Sequence, residues 1–429
     1  MSGDGKPLAA QRSRLLRSRK FLGYLGQSVA SRASGNVANV CVVWLVFAAT
    51  QSAVDVGIVA FAQSVAIVGA SLPAGTIVDR YSRRWLLFLS HATRGAVFAI
   101  LVALLFIQGF RLDLLVGLVL AWSAGSELYR SATYSVLPDV IDPVDLADAN
   151  GVTRASTSSV GAVASALAGG LIVAFGVSFG FVFSAAAYAG AAILAALFVV
   201  PRASTRTRES SAQSHRGLKG MTRELREGFR WLLQEVGLLQ LSISATAFNF
   251  LFSLTYSFLV IYAAVAVHAG ALLFGLLLAA YAVGDVVGSL LVGRTRALSV
   301  AGKVWVVLYG GASGLLLLIL GFFPSPAIAI GSNLLMGLAI GFSANVWLTS
   351  AQNIVPAGMR GRYFAIDGVL SFVAGPPAIV AGAFLIQAIG VASEFILAGL
   401  LMLVSALVFG LMRSLWRLDG RTRVDSAST

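Results

Sequence analysis

Charge is what this chain has least of: 18 acidic and 31 basic residues among 429, so that Asp, Glu, Lys and Arg make up 11% of it, where a soluble domain carries about 25%. A water-soluble surface cannot be built from so few charges, and 58% hydrophobic residues with a mean hydropathy of +0.87 place the chain in lipid. The single cysteine, Cys41, excludes an intramolecular disulfide. Three histidines, His91, His215 and His268, leave too little for a metal centre. No nucleophile–base constellation, phosphate-cradling loop or paired-carboxylate motif stands out, so we expect neither enzymatic chemistry nor a cofactor.

What is abundant is long apolar stretches. A membrane-spanning helix needs about 20 mostly apolar residues, and polar or Gly/Pro breaks divide the chain into twelve such segments: 21–49, 53–78, 85–108, 112–137, 151–176, 178–200, 238–266, 271–293, 304–323, 327–352, 364–390 and 394–412. The expected class is therefore an all-α membrane protein. Lys and Arg collect before the first span, after the second, sixth, eighth and tenth spans and at the end, whereas among the intervening loops only Arg111 is positive. That alternation reads as the positive-inside rule, with both termini cytoplasmic, a cell-membrane location and no cleaved signal peptide. It also accounts for the net charge of +13 without a nucleic-acid partner, since the basic residues form no single stripe. The expected partners are membrane lipids and a small-molecule substrate, with a monomer as the working unit.

Composition shifts at Pro201, where a polar Ser/Thr/Arg-rich stretch runs to about Gly237. It divides the chain into a basic N-terminus (1–20), a six-span bundle (21–200), a linker (201–237), a second six-span bundle (238–412) and a tail (413–429). Leu225, Phe229 and Leu232 fall at helical spacing among charges, which predicts an interfacial amphipathic helix before the seventh span. The two halves echo each other: Phe175-Gly176-Val177-Ser178 matches Ile389-Gly390-Val391-Ala392 at an offset of 214, and Leu137-Pro138 matches Val355-Pro356 at 218. Two six-helix pseudo-repeats with a substrate between them is the organisation of parallel transporter repeats.

Between the second and third spans lies Gly75-Thr-Ile-Val-Asp79-Arg80-Tyr-Ser-Arg83-Arg84, a charged hinge of the form Gly-x-x-x-Asp-Arg-x-x-Arg-Arg. It resembles the loop 2–3 signature of the major facilitator superfamily. With Leu137-Pro138, Ala149-Asn150, Gly169-Gly170, Glu227 to Leu232 and Arg360-Gly-Arg362, the chain resembles the twelve-span drug, macrolide and siderophore exporters of that superfamily over nearly its whole length. The resemblance implies a major facilitator fold working by alternating access. In the fifth span Gly161, Gly169 and Gly170 keep part of an exporter motif but lack its proline, whereas Gly375-Pro376-Pro377 keeps a breaker in the eleventh and predicts a kink. Where relatives have an acid before Arg94, this chain has His91.

Candidate functional residues follow from cost and position. The hinge residues Gly75, Asp79, Arg80, Arg83 and Arg84 read either as a gating latch or as a topogenic loop. Intramembrane charges mark function unless paired; along a helix rising 1.5 Å per residue, Arg32 lies about 18 Å from Lys20, Arg94 about 15 Å from Arg84 and Asp285 about 13 Å from Arg294. Glu127 and Arg130, three apart, can neutralise each other. Asp285 and Glu127, the acids read as lying well inside spans, are the proton-coupling candidates, with the proton gradient as driving force. By resemblance the first, fourth, seventh and tenth spans line the cavity, which nominates Arg32, Asn36, Asn39, Phe248, Asn249, Phe252, Tyr256, Asn345 and Trp347; Arg32 there would favour an anionic substrate. Ordinary helix packing is the competing reading of the aromatics. Gly337-x-x-x-Gly341 is expected to let two helices approach closely. The function these features support is proton-coupled export of an amphipathic small molecule, with an importer, a lysolipid flippase or a non-transporting membrane sensor as alternatives.

Overall fold

A computed structural model describes residues 17–141, 145–198, 226–227, 229–356 and 359–421; for residues 72, 75, 76, 79, 80, 134, 135, 138, 139, 147, 294, 361, 365 and 372 it describes the backbone alone. Twelve described helices are long and apolar enough to cross a membrane, and no strand occurs among the described residues. We number them α1 (Arg19–Thr50), α2 (Ala53–Arg80), α3 (Arg83–Gln108), α4 (Leu112–Val140), α5 (Leu146–Phe175), α6 (Val177–Phe198), α7 (Val236–Tyr256), α8 (Ala271–Leu291), α9 (Ala297–Phe322), α10 (Pro326–Ile354), α11 (Arg360–Val373 and Gly375–Ile389) and α12 (Val391–Gly410). Each corresponds to one apolar stretch of the sequence.

The helix ends carry local signals. Ser18 caps α1 by accepting from the Phe21 N–H, and Ser325 caps α10 ahead of Pro326, whose missing N–H costs nothing at a helix start. Gly176 and Gly390, equivalent in the two halves, close α5 and α11 at φ 81° and 80°. There a side chain would be strained, so one-residue turns between consecutive spans require glycine. The repeat noticed in the sequence is thus the same turn built twice. α11 breaks at Ala374, and Gly375-Pro376-Pro377 begins its second segment.

Two units divide the chain, residues 1–51 with 58–207, and 52–57 with 208–429. In the first unit α1 packs on α5 and α6, and α3 on α4 and α6. Phe21, Leu87, Val136 and Ala195 anchor a core at one end. Phe98 stacks on Phe181 and Tyr188, with centroids 5.8 and 6.1 Å away. In the second unit the tightest pair is α8 against α10. Cβ atoms added at Gly284 or Gly288 would run into the backbone of α10, and at Gly337 or Gly341 into the backbone of α8. These four glycines therefore let the two helices touch backbone to backbone.

Three segments depart from the sequence reading. The seventh span is not continuous over 238–266: α7 ends at Tyr256, turns at Ser257 and Phe258, and resumes as a short helix and a π-helical turn (Tyr262–Ala266). α9 carries a π-helical stretch, Trp305–Ala312. The segment after α12 docks rather than trailing away: Gln240 accepts from Ser414 Oγ and Leu415 N at 2.6 and 3.0 Å, and Gly420 N donates to Leu298 O at 2.7 Å. Of the linker helix, Leu232 is buried and Phe229 exposed, while Leu225 lies outside the described residues. That helix is tied to α11 by Glu227–Arg362 at 3.4 Å and by Trp231 edge-on to Tyr363.

Candidate functional site

A cavity of about 880 Å³ opens within the first unit, walled by α1, α3, α4, α5 and α6. Each of four walls contributes an arginine: Arg32 from α1, Arg94 from α3, Arg130 from α4 and Arg154 from α5. Counted from the helix ends at one end of the bundle, they lie about 20, 16, 15 and 12 Å along their helices, well inside a hydrocarbon layer about 30 Å thick. No acid is present among the described residues that line the cavity. Arg32 and Arg154 are exposed, and no described residue forms an ion pair with either. An unpaired arginine at the centre of a span costs at least about 2.5–3.5 kcal/mol, so such residues persist where water or a ligand reaches them. Asn36 and Asn39 also line this space.

Arg94 is held differently. Its guanidinium lies between the rings of Tyr129 and Tyr188, 4.5 Å from each centroid, and its Nε donates to Ser90 O at 3.0 Å. Its Nη2 donates to His91 Nδ1 at 2.8 Å. Since arginine only donates, Nδ1 is the acceptor and the ring proton sits on Nε2, which donates to Gln27 Oε1 at 2.7 Å. Gln27 Nε2 in turn donates to Ser28 Oγ at 2.8 Å, back on the cavity wall. His91 thus serves as a neutral acceptor for the arginine. Trp122 donates to the Tyr188 hydroxyl at 3.1 Å and fixes one face of the sandwich.

Glu127 is buried and accepts two bonds from Arg130, at 2.5 and 2.9 Å. Asn36 donates to Gly161 O at 2.8 Å and Ser165 Oγ at 3.1 Å, clamping α1 to α5. A Cβ at Gly161 would come within 2.9 Å of Arg32 Nε, the far end of a flexible side chain that can give way, and at Gly170 it would meet nothing within 4 Å among the described residues. Gly169 is buried.

In the second unit the nominated residues separate. Phe248 is fully buried, packed on Trp305, Tyr309 and Phe409. Asn249 accepts from the Tyr309 hydroxyl in the same layer. Phe252 and Tyr256 instead join Tyr281 in a half-buried aromatic cluster with centroids 4.7 to 5.9 Å apart, beside Asp285. Asn345 donates to Ser289 Oγ at 2.8 Å and ties α10 to α8, and Trp347 packs against Trp305 and Phe364. Two buried acids belong with the candidates and were not among them. Asp367 on α11 accepts from Ser242 Oγ at 2.8 Å; Glu394, in the first turn of α12, has neither carboxylate oxygen hydrogen-bonded. Both lie within the first turn of their apolar runs, 364–390 and 394–412, so a search for acids well inside spans passes them over.

Of the hinge motif, the backbone of residues 75, 79 and 80 is helical and ends α2; their side chains lie outside the described residues. Arg84 donates to Ala196 O on α6, a tie within the first unit, and Arg83 is half-buried.

A family model described as transmembrane secretion effector matches residues 16–426. Macrolide efflux protein A of Streptococcus pyogenes is 21% identical over 352 residues, 80% of this chain and 84% of that protein. Among solved structures, the nucleoside transporter NupG aligns over 91% of this chain and 98% of its own, at a TM-score of 0.68 and 13% identity. A bacterial homologue of the human lysosomal transporter Spinster, in its inward-facing occupied state, covers 97% of this chain and 99% of its own (TM-score 0.66, 13% identity). A bacterial metal transporter covers 92% and 97% (TM-score 0.62, 18% identity). At these identities the structures speak for the fold alone. With twelve spans in two halves and a family match along nearly its whole length, the chain belongs to the transmembrane secretion effectors, membrane transporters of the major facilitator superfamily.

Proposed function

We propose that the protein exports an amphipathic small molecule across the cell membrane in exchange for protons, with both termini in the cytoplasm. The observation that carries this reading is the first-unit cavity, whose wall includes Arg130 bonded to the buried acid Glu127. A ligand donor group that takes Arg130's place on Glu127 needs the ionised carboxylate, whereas a proton on Glu127 removes that anchor. Substrate and proton then compete for one site, which is what antiport requires. Outward direction draws support from the secretion described for the family and the efflux named in the streptococcal relative. Asp285, beside the aromatic cluster of the second unit, is the other coupling candidate. Cyclic rocking of the two halves delivers the substrate, and no cofactor takes part.

The test is substrate-triggered proton movement in proteoliposomes under an imposed pH gradient, comparing the native protein with Glu127→Gln and Asp285→Asn. Proton movement abolished by one of these substitutions, with binding retained, supports coupling through that acid. Unchanged proton movement in both variants removes both residues from the coupling step, and its absence in the native protein removes antiport.

A further inference from the structure

We propose that the first-unit cavity is an oxyanion site, so that the transported molecule carries a carboxylate or phosphate group. This rests on the export reading above and narrows its substrate class. Four guanidinium groups share one cavity of about 880 Å³, and they repel one another unless negative charge lies among them. Glu127 balances Arg130. Arg94 is satisfied by neutral acceptors and two ring faces, so its charge is placed but not cancelled. Arg32 and Arg154 have no ion-pair partner among the described residues. A positive surplus with low-dielectric walls concentrates anions and repels lipophilic cations. Guanidinium is also the side chain whose planar fork matches carboxylate and phosphate oxygens two at a time.

The remaining wall fits the same ligand. Ser28, Ser31, Asn39, Ser126, Thr153 and Thr157 offer hydroxyl and amide groups to the oxyanion or its polar neighbours, and Trp122 and Tyr24 give an apolar body something to lie against. Arg94, buried and clamped by Tyr129, Tyr188 and His91, is the rigid member of the set. Arg32 and Arg154, exposed into the cavity, are the ones free to close on a ligand.

The test is calorimetric binding to the full-length protein in detergent, using probes that share one naphthyl body: 2-naphthoate, 2-naphthyl phosphate, 2-naphthamide and 2-naphthylmethylammonium. A lysophosphatidylglycerol in zwitterionic nanodiscs asks whether the oxyanion comes from a lipid headgroup instead of a water-soluble compound. The expected result is that at least one oxyanion probe binds at least tenfold more tightly than the amide, that the ammonium binds more weakly still, and that Arg32→Gln with Arg154→Gln erases the preference. Because neither arginine makes an ion pair among the described residues, that double variant should keep the native melting temperature. Arg111→Gln, outside the cavity, controls for loss of general positive charge and should leave the preference intact. Equal or tighter binding of the amide or ammonium overturns the proposal, as does failure of every oxyanion to bind folded protein. Tight oxyanion binding without any proton movement in proteoliposomes overturns the antiport reading and leaves this site standing.

Discussion

Replacing Gly284 by alanine tests the backbone-to-backbone contact of α8 and α10. The added Cβ would lie 2.8 Å from Leu338 N and 3.0 Å from the Leu334 carbonyl carbon, short of the 3.4 Å at which ordinary contact begins, and closer still to the Leu334 oxygen. These are main-chain atoms of a helix and cannot rotate aside, so the two helices must separate. Overpacking of this kind costs about 1–3 kcal/mol, and with a rigid partner the upper end applies. Alanine returns about 1 kcal/mol of helix propensity, leaving a net loss of about 2 kcal/mol. For a unit of about 200 residues that lowers the melting temperature by about 4–8 °C. Gly170→Ala is the matched control, because its Cβ meets nothing within 4 Å, and it should melt at or slightly above the native temperature. The assay is tryptophan-fluorescence melting of the detergent-solubilised protein. A Gly284→Ala protein as stable as the native one, or a Gly170→Ala protein that is less stable, would refute the packing argument.

Other consequences follow from the polar networks. His91→Leu leaves Arg94 Nη2 and Gln27 Oε1 buried without their partner, at about 1–3 kcal/mol for each orphaned group, whereas His91→Asp restores an acceptor for Arg94; melting temperatures should rank native, Asp and Leu in that order or with Asp level with native. Asn36→Ala removes two bonds between α1 and α5 and should cost about 1 kcal/mol for each, read as a lower melting temperature. Ser242→Ala takes a donor from the buried Asp367 and should destabilise by about 1.5 kcal/mol, with Ser242→Thr retaining most of the native stability.

The twelve spans were legible because length and apolarity alone decide what crosses a bilayer, and the paired turns at Gly176 and Gly390 were legible because a one-residue connection demands glycine. The cavity was legible too, in a form that the search for charges passed over. On α1, Ser28, Ser31, Arg32, Gly35, Asn36 and Asn39 recur at three- and four-residue steps, and on α5 Asn150, Thr153, Arg154 and Thr157 do the same. Those are polar stripes on otherwise apolar helices, the inverse of an amphipathic surface helix. The aromatic stripe on α7 divides for a geometric reason. Steps of four residues advance about 40° beyond a full turn each, so Phe248 and Tyr256 differ by about 80° around the helix; one faces the core and the other joins the half-buried cluster. The break after Tyr256, the π-helical stretch of α9 and the docked segment after α12 depend on contacts between distant elements, which periodicity does not encode.

The measurement that bears most directly on the account is accumulation of the tightest-binding naphthyl anion by proteoliposomes with an acidic interior, the membrane potential clamped at zero with potassium and valinomycin. One-for-one antiport against a gradient of one pH unit sustains about a tenfold concentration ratio, with the anion moving in as protons move out. Passive partition of a weak acid runs the opposite way, so accumulation cannot be mistaken for leak. The account predicts accumulation that a protonophore abolishes and that Glu127→Gln or Asp285→Asn prevents. No accumulation beyond protein-free liposomes, or accumulation indifferent to the protonophore, would contradict it.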